Sequence, residues 1–120
     1  MSSIENPTPV RESIEHGGLA IDVLRAEGTC VVELVGELDL DAVSMLEGEL
    51  GRLMATRNGT TLIVDLKSLT FIDSAGLQCL LQSASAAESD GDALRFRGAT
   101  GHVEQLLELT DIKKQLRFIG

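Results

Sequence analysis

The sequence predicts a single α/β domain with a mixed central β-sheet of four to five strands and about three to four helices packed mainly on one face. Three observations carry this. Runs rich in β-branched residues alternate along the chain with segments whose apolar residues recur at helical spacing. The stretch Thr61-Leu62-Ile63-Val64-Asp65-Leu66 is almost continuously apolar, as in a strand covered on both faces. Apolar residues make up 43% of the 120, enough for a globular core, yet aromatics are only 2%, three Phe, so that core must be aliphatic.

Taken in order, residues 1–17 read as a flexible N-terminal tail, polar and closed by Gly17-Gly18, and the folded domain spans 18–120. Leu19 to Leu24 is a first strand, Ala26-Glu27-Gly28 a turn, and Cys30 to Val35 a second strand rich in β-branched residues. The short connection makes these two an antiparallel hairpin. Gly36-Glu37-Leu38-Asp39 leaves the sheet, with Asp39 or Asp41 as N-cap of a helix whose stripe is Val43, Leu46, Leu50, Leu53 and Met54, ended by Asn58-Gly59. After the Thr61–Leu66 strand and Phe71-Ile72, a second helix carries Leu77, Leu80, Leu81 and Ala84 at i, i+3, i+4, i+7. Ser89-Asp90-Gly91-Asp92 is a turn, Ala93 to Phe96 a fourth strand, and about Thr100 to Leu109 a last helix. Leu116 to Ile119 is an edge strand or a chain end. The order β-β-α-β-α-β-α-(β) requires right-handed crossovers and a largely parallel sheet centre.

Composition excludes several function classes. Net charge is -9, which repels a phosphate backbone or an anionic membrane surface and suits a basic protein partner. Without Trp or Tyr there is almost no stacking platform for bases. Direct nucleic-acid binding and membrane insertion are not expected. No apolar stretch approaches the roughly 20 residues of a membrane span, and Met1 to Pro9 lacks a signal-peptide core, so a cytoplasmic location is expected. Cys30 and Cys79 lack metal-type spacing and read as buried thiols, with a redox role left open. No phosphate loop, metal-ligand cluster or cofactor motif is present, and no enzyme activity is expected.

The candidate site is Asp73-Ser74-Ala75-Gly76-Leu77, where a loop enters a helix. A helix start offers unpaired N–H groups and the positive end of the dipole, a favourable place for a phosphate. Ser74 has two compatible roles there: an N-cap contributing about 1 kcal/mol, or a phosphoacceptor. Asp73 supports the loop or orients the hydroxyl, Gly76 permits close approach of another backbone, and Asp39 is a helix cap on the same sheet end. His16 and His102 are tied to Ser74 by no motif, and the segment is not G-x-S-x-G, which counts against a serine hydrolase.

Two segments, Gly36-Glu37-Leu38-Asp39 and Phe71-Ile72-Asp73-Ser74-Ala75-Gly76-Leu77, resemble the STAS domain of bacterial anti-sigma factor antagonists, and the order of elements is similar over about residues 19 to 119. The resemblance implies a partner-switching protein. Its unphosphorylated form would bind an anti-sigma factor that is also a serine kinase of the histidine-kinase-like ATPase type, freeing a sigma factor or other output. Phosphorylation of Ser74 would end binding, and a PP2C-type serine phosphatase would reset it. Carried over by motif, the partner-binding residues are Asp39, Asp73, Ser74, Ala75, Gly76 and Leu77. The position after Ser74, often a second serine in the family, is Ala75 here, leaving one acceptor. The resemblance also admits a weak homodimer. An alternative within the same family is a scaffold or transporter-associated module without a phosphate cycle.

Overall fold

The computed structural model describes residues 10–26, 28–90 and 93–119. Its elements are β1 (Val10–His16), β2 (Leu19–Ala26), β3 (Thr29–Leu38), α1 (Leu40–Thr56), β4 (Thr61–Asp65), β5 (Leu69–Ile72), α2 (Ser74–Ala86), β6 (Leu94–Arg97) and α3 (Gly101–Leu109). Short 3-10 turns follow α2 and α3 at Glu88–Asp90 and Ile112–Gln115.

The sheet runs β1-β2-β3-β4-β6, antiparallel at its first two junctions and parallel beyond. β3 is long enough to serve two neighbours. Its first half pairs with β4 and its last residues pair with β5, which continues along β3 where β4 stops. Phe118 adds a parallel bridge to Phe96, so the chain end is tied to β6 by one bridge rather than by a full strand.

One face of the sheet is covered. Leu19, Ile21 and Val23 of β2, Cys30, Val32 and Leu34 of β3, and Leu62 and Val64 of β4 are buried, while the alternate residues of β2 and β3 stay half-exposed. Ala42, Leu46, Leu50 and Leu53 of α1, Leu77 and Leu80 of α2, and Val103 and Leu107 of α3 complete one core. Phe96 is its one fully buried aromatic, so the core is aliphatic as composition requires.

Three expectations are corrected. The tail read over 1–17 contains a strand: β1 pairs with β2 along its whole length, and Gly17-Gly18 is the hairpin turn, with Gly17 at φ 64. The remainder of that tail, Met1 to Pro9, lies outside the described residues, as do Glu27, Gly91 and Asp92 of the expected turns. The four-residue β5 was read as loop and brings the sheet to six strands. Finally, β4 is buried on both sides but has a helix on one only. Ile63 and Asp65 point to the open face and are shielded by neighbouring strands, where Arg97 Nε donates to Asp65 Oδ2 at 3.0 Å.

Cys79 lies in this core at 1% exposure, and burial pushes its thiol up to about 11. Above the ordinary thiol value of 9.0 the unfolded chain has released this proton while the folded chain still holds it. Stability therefore falls as pH rises from about 9 to about 11, by roughly 1.4 kcal/mol per unit from this group. Urea midpoints across that window test this, and Cys79→Ala is expected to flatten the slope.

Candidate functional site

The site is built where β3 and β5 end side by side. Leu38 and Ile72 are register partners in the parallel pair, so the residues that follow, Asp39 and Asp73, emerge together and start α1 and α2. Both are extended and both cap their helix. Asp39 Oδ1 accepts from Asp41 N at 3.1 Å. Asp73 Oδ1 accepts from Gly76 N at 2.9 Å, and its Oδ2 accepts from Leu40 N at 3.3 Å. One carboxylate thus ties the starts of both helices together.

Ser74 is therefore not the cap. It is the first residue of α2, one position beyond Asp73, whose carboxylate takes the capping role. The Ser74 side chain is exposed, and among the described residues nothing hydrogen-bonds its hydroxyl. Its amide and that of Ala75 are likewise unclaimed among the described residues, because the cap satisfies Gly76 N and the Asp73 carbonyl satisfies Leu77 N at 2.9 Å. A free hydroxyl beside two free amides at a positive helix end is chemically ready to carry a phosphate.

Of the other sequence-derived residues, Asp39, Asp73 and Ala75 are half-buried, whereas Gly76 and Leu77 are buried. Gly76 and Leu77 shape the surface from beneath and present no side chain to solvent. A Cβ at Gly76 would stand 2.5 Å from the Leu38 carbonyl oxygen, 2.8 Å from Ile72 Cγ1 and 2.9 Å from Leu38 Cγ, so only glycine lets α2 start this close to β3.

Three residues outside the expected site set stand on elements that adjoin it. Leu40 is 72% exposed at the start of α1. Phe71 is 40% exposed at the end of β5 and stacks on His102, ring centroids 5.5 Å apart and 10° from parallel. Leu40 was legible as an apolar residue off the buried stripe of α1. The Phe71–His102 stack was not, since it joins β5 to the start of α3. Around these apolar groups Glu37 and Asp41 are exposed, so the surface combines apolar patches with acidic side chains.

Removing the double cap has a definite consequence. Asp73→Ala leaves Gly76 N and Leu40 N without their partner, and is expected to destabilise the fold by about 1–2 kcal/mol. Thermal melts check this; an unchanged midpoint contradicts the bridging role.

The family profile described as "Mlab, STAS domain" matches residues 21–119. The sequence is 32% identical over 78 residues to the anti-sigma-F factor antagonist RsfB of Mycobacterium tuberculosis, covering 65% of this chain and 61% of RsfB. The match thus spans less than two thirds of that relative's length. It is 26% identical over 96 residues to an anti-sigma F factor antagonist of Paenibacillus polymyxa, covering 80% of this chain and 82% of the relative. Among solved structures, an anti-sigma factor antagonist from Mycobacterium paratuberculosis superposes with a TM-score of 0.67 at 25% identity, over 83% of this chain and 84% of that one. Unphosphorylated SpoIIAA, at 19% identity and a TM-score of 0.67 over 83% and 88%, has the same fold. No helix among the described residues is long and apolar enough to cross a membrane.

Proposed function

The chain belongs to the STAS domain family, and on that premise we propose that it is an anti-sigma factor antagonist switched at Ser74. Unphosphorylated, it binds an anti-sigma factor that is also a serine kinase of the histidine-kinase-like ATPase type, and so frees a sigma factor or another output. Phosphorylation of Ser74 ends that binding, and a PP2C-type phosphatase restores it. The relatives named as anti-sigma factor antagonists support the role.

The observation that carries the reading is the placement of Ser74: an exposed hydroxyl on a capped helix start, with the exposed apolar residues Leu40 and Phe71 at the adjoining ends of α1 and β5. A partner seated on Leu40 and Phe71 covers Ser74 and excludes water there. Phosphate adds roughly -1.5 to -2 charge at neutral pH. That charge meets the helix dipole favourably within the chain, but buried in a dry contact it has to be desolvated next to Asp73 and Asp39. The fold persists while the interface is lost, so the switch needs no conformational change.

The acidic rim, with Glu37, Asp39 and Asp41, fits a partner whose matching surface is basic and would mainly steer association. Phe71 is the expected anchor. Phe71→Ala is expected to weaken the complex by about 2 kcal/mol, or some thirtyfold, by titration calorimetry.

The direct test of the role is competition. The purified chain is added to a preformed complex of a candidate anti-sigma kinase and its sigma factor, and release of the sigma factor is followed by size exclusion. Release by the unphosphorylated chain, and none by Ser74→Asp, supports the reading. A stable complex formed equally by both proteins favours the scaffold or transporter-associated alternative.

A further inference from the structure

β1 is the outer strand of the sheet, and its residues Arg11 to His16 are all exposed. Its pairing with β2 is continuous, without a bulge, over the whole strand. Its second edge faces no strand among the described residues. Such an edge is a template for another strand unless it is blunted.

Glu12 and Ser13 are already engaged within the chain. Glu12 lies 3.2 Å from the Arg52 guanidinium, and Ser13 Oγ donates to Asp22 Oδ1 at 2.6 Å. Arg11 and Glu15 are not; neither has a hydrogen bond or ion pair among the described residues. They sit on the same face of β1, on either side of Ser13, because side chains two apart in a strand share a face.

We propose that two copies of this chain pair antiparallel through β1, around a twofold axis at Ser13, into one continuous sheet. With that axis Arg11 stands directly opposite Glu15 of the second copy, and Glu15 opposite Arg11. Both unspent charges are neutralised by symmetry on one face of the doubled sheet. Other registers fail on the same residues. Axes at Arg11, Glu12 or Glu15 set like charges against each other, and an axis at Ile14 shortens the overlap and leaves Arg11 and Glu15 apart. The sequence of β1 is therefore complementary to itself in one register.

The dimer leaves the Ser74 surfaces free. β1 runs toward that end of the sheet, since a Cβ on Gly17 would lie 3.6 Å from the Cβ of Asp41 at the start of α1. In an antiparallel pair the second copy's surface then points to the opposite end, and each can hold its own partner. This rests on strand geometry and charge alone, independent of the phosphate switch.

The test uses paired charge reversals and sedimentation equilibrium, with circular dichroism confirming that each variant is folded. The wild-type mass is expected to rise with concentration from 12.8 kDa toward twice that value. Arg11→Glu and Glu15→Arg should each remain at 12.8 kDa, since each creates like-charge pairs across the axis. An equimolar mixture of the two variants should dimerise, as should the double variant, because both restore opposite charges at every pair. A wild-type mass fixed at 12.8 kDa up to the solubility limit overturns the proposal. So does a dimer that the single reversals leave intact, or a mixture that fails to associate.

Discussion

Replacing Ser74 by aspartate is expected to weaken binding to the anti-sigma kinase more than a hundredfold while leaving the fold intact. The two effects separate because the position is exposed and is the first residue of α2. Within the chain a carboxylate there meets the positive end of the helix dipole, a gain of about 0.3–1 kcal/mol that offsets repulsion from Asp73. In a contact that covers this helix start together with the exposed Leu40 and Phe71, the same carboxylate loses its water. A penalty of about 3 kcal/mol corresponds to the stated loss. Ser74→Ala, by contrast, keeps the contact and removes the switch, so it should bind like wild type and stay bound in the presence of ATP. Calorimetric titration of the three proteins with one kinase reads all of this. Equal affinity for Ser74→Asp and wild type contradicts the placement of Ser74 inside the interface.

Gly36→Ala is expected to produce the largest loss of stability of any single methyl addition at the site end of the sheet. Gly36 has φ 106, a region that L side chains rarely adopt, and a Cβ there would run into the backbone carbonyl oxygen of Gly18. The obstacle is main chain and cannot swing away. Gly36 is also where three strands meet: its N–H donates to Ser68 O at 3.1 Å, its carbonyl accepts from Thr70 Oγ1 at 3.0 Å, and Glu37 N donates to Gly18 O at 2.9 Å. The register of β3 against β5 shifts here, which lets Leu38 line up with Ile72 and brings Asp39 and Asp73 together. Strain and overpacking each cost about 1–3 kcal/mol, so a combined loss of about 3 kcal/mol or more is expected. For a domain of this size that lowers the melting midpoint by roughly 10 °C or more. A midpoint within a few degrees of wild type would contradict the role given to this glycine.

How far the sequence spoke varies by element, for identifiable reasons. β3 was legible because Cys30, Val32 and Leu34 alternate with half-exposed residues. α1 was legible because Leu46, Leu50 and Leu53 keep helical spacing, although Ala42, not Val43, begins the buried stripe. β1 gave no such signal. Its exposed residues are mostly charged or polar, and its order comes from pairing with β2 rather than from a buried face. β5 is four residues with only its first and last buried, a pattern that matches neither strand nor helix periodicity.

The site divides the same way. Asp73 and Ser74 are both good cap formers, and local sequence does not choose between them. The choice is tertiary: Asp73 N donates to Leu38 O at 3.2 Å, and its carboxylate reaches Leu40 N on another helix, 33 positions away. That contact frees the Ser74 hydroxyl. The Phe71–His102 stack likewise depends on α3 packing against β5, a contact between segments distant in sequence. Local chemistry was readable, whereas the division of labour within it came from the crossing of β3, β5 and the two helix starts.

The central claim is that Ser74 is the switch, and the most direct measurement is of its modification. The chain is incubated with ATP, Mg²⁺ and a histidine-kinase-like anti-sigma kinase from the same genome, then analysed by intact mass and fragment mapping. The account predicts one added phosphate, located on Ser74, absent in Ser74→Ala and accompanied by release of the kinase. A folded chain that takes up no phosphate from any such kinase, or takes it up elsewhere without losing the complex, would contradict it.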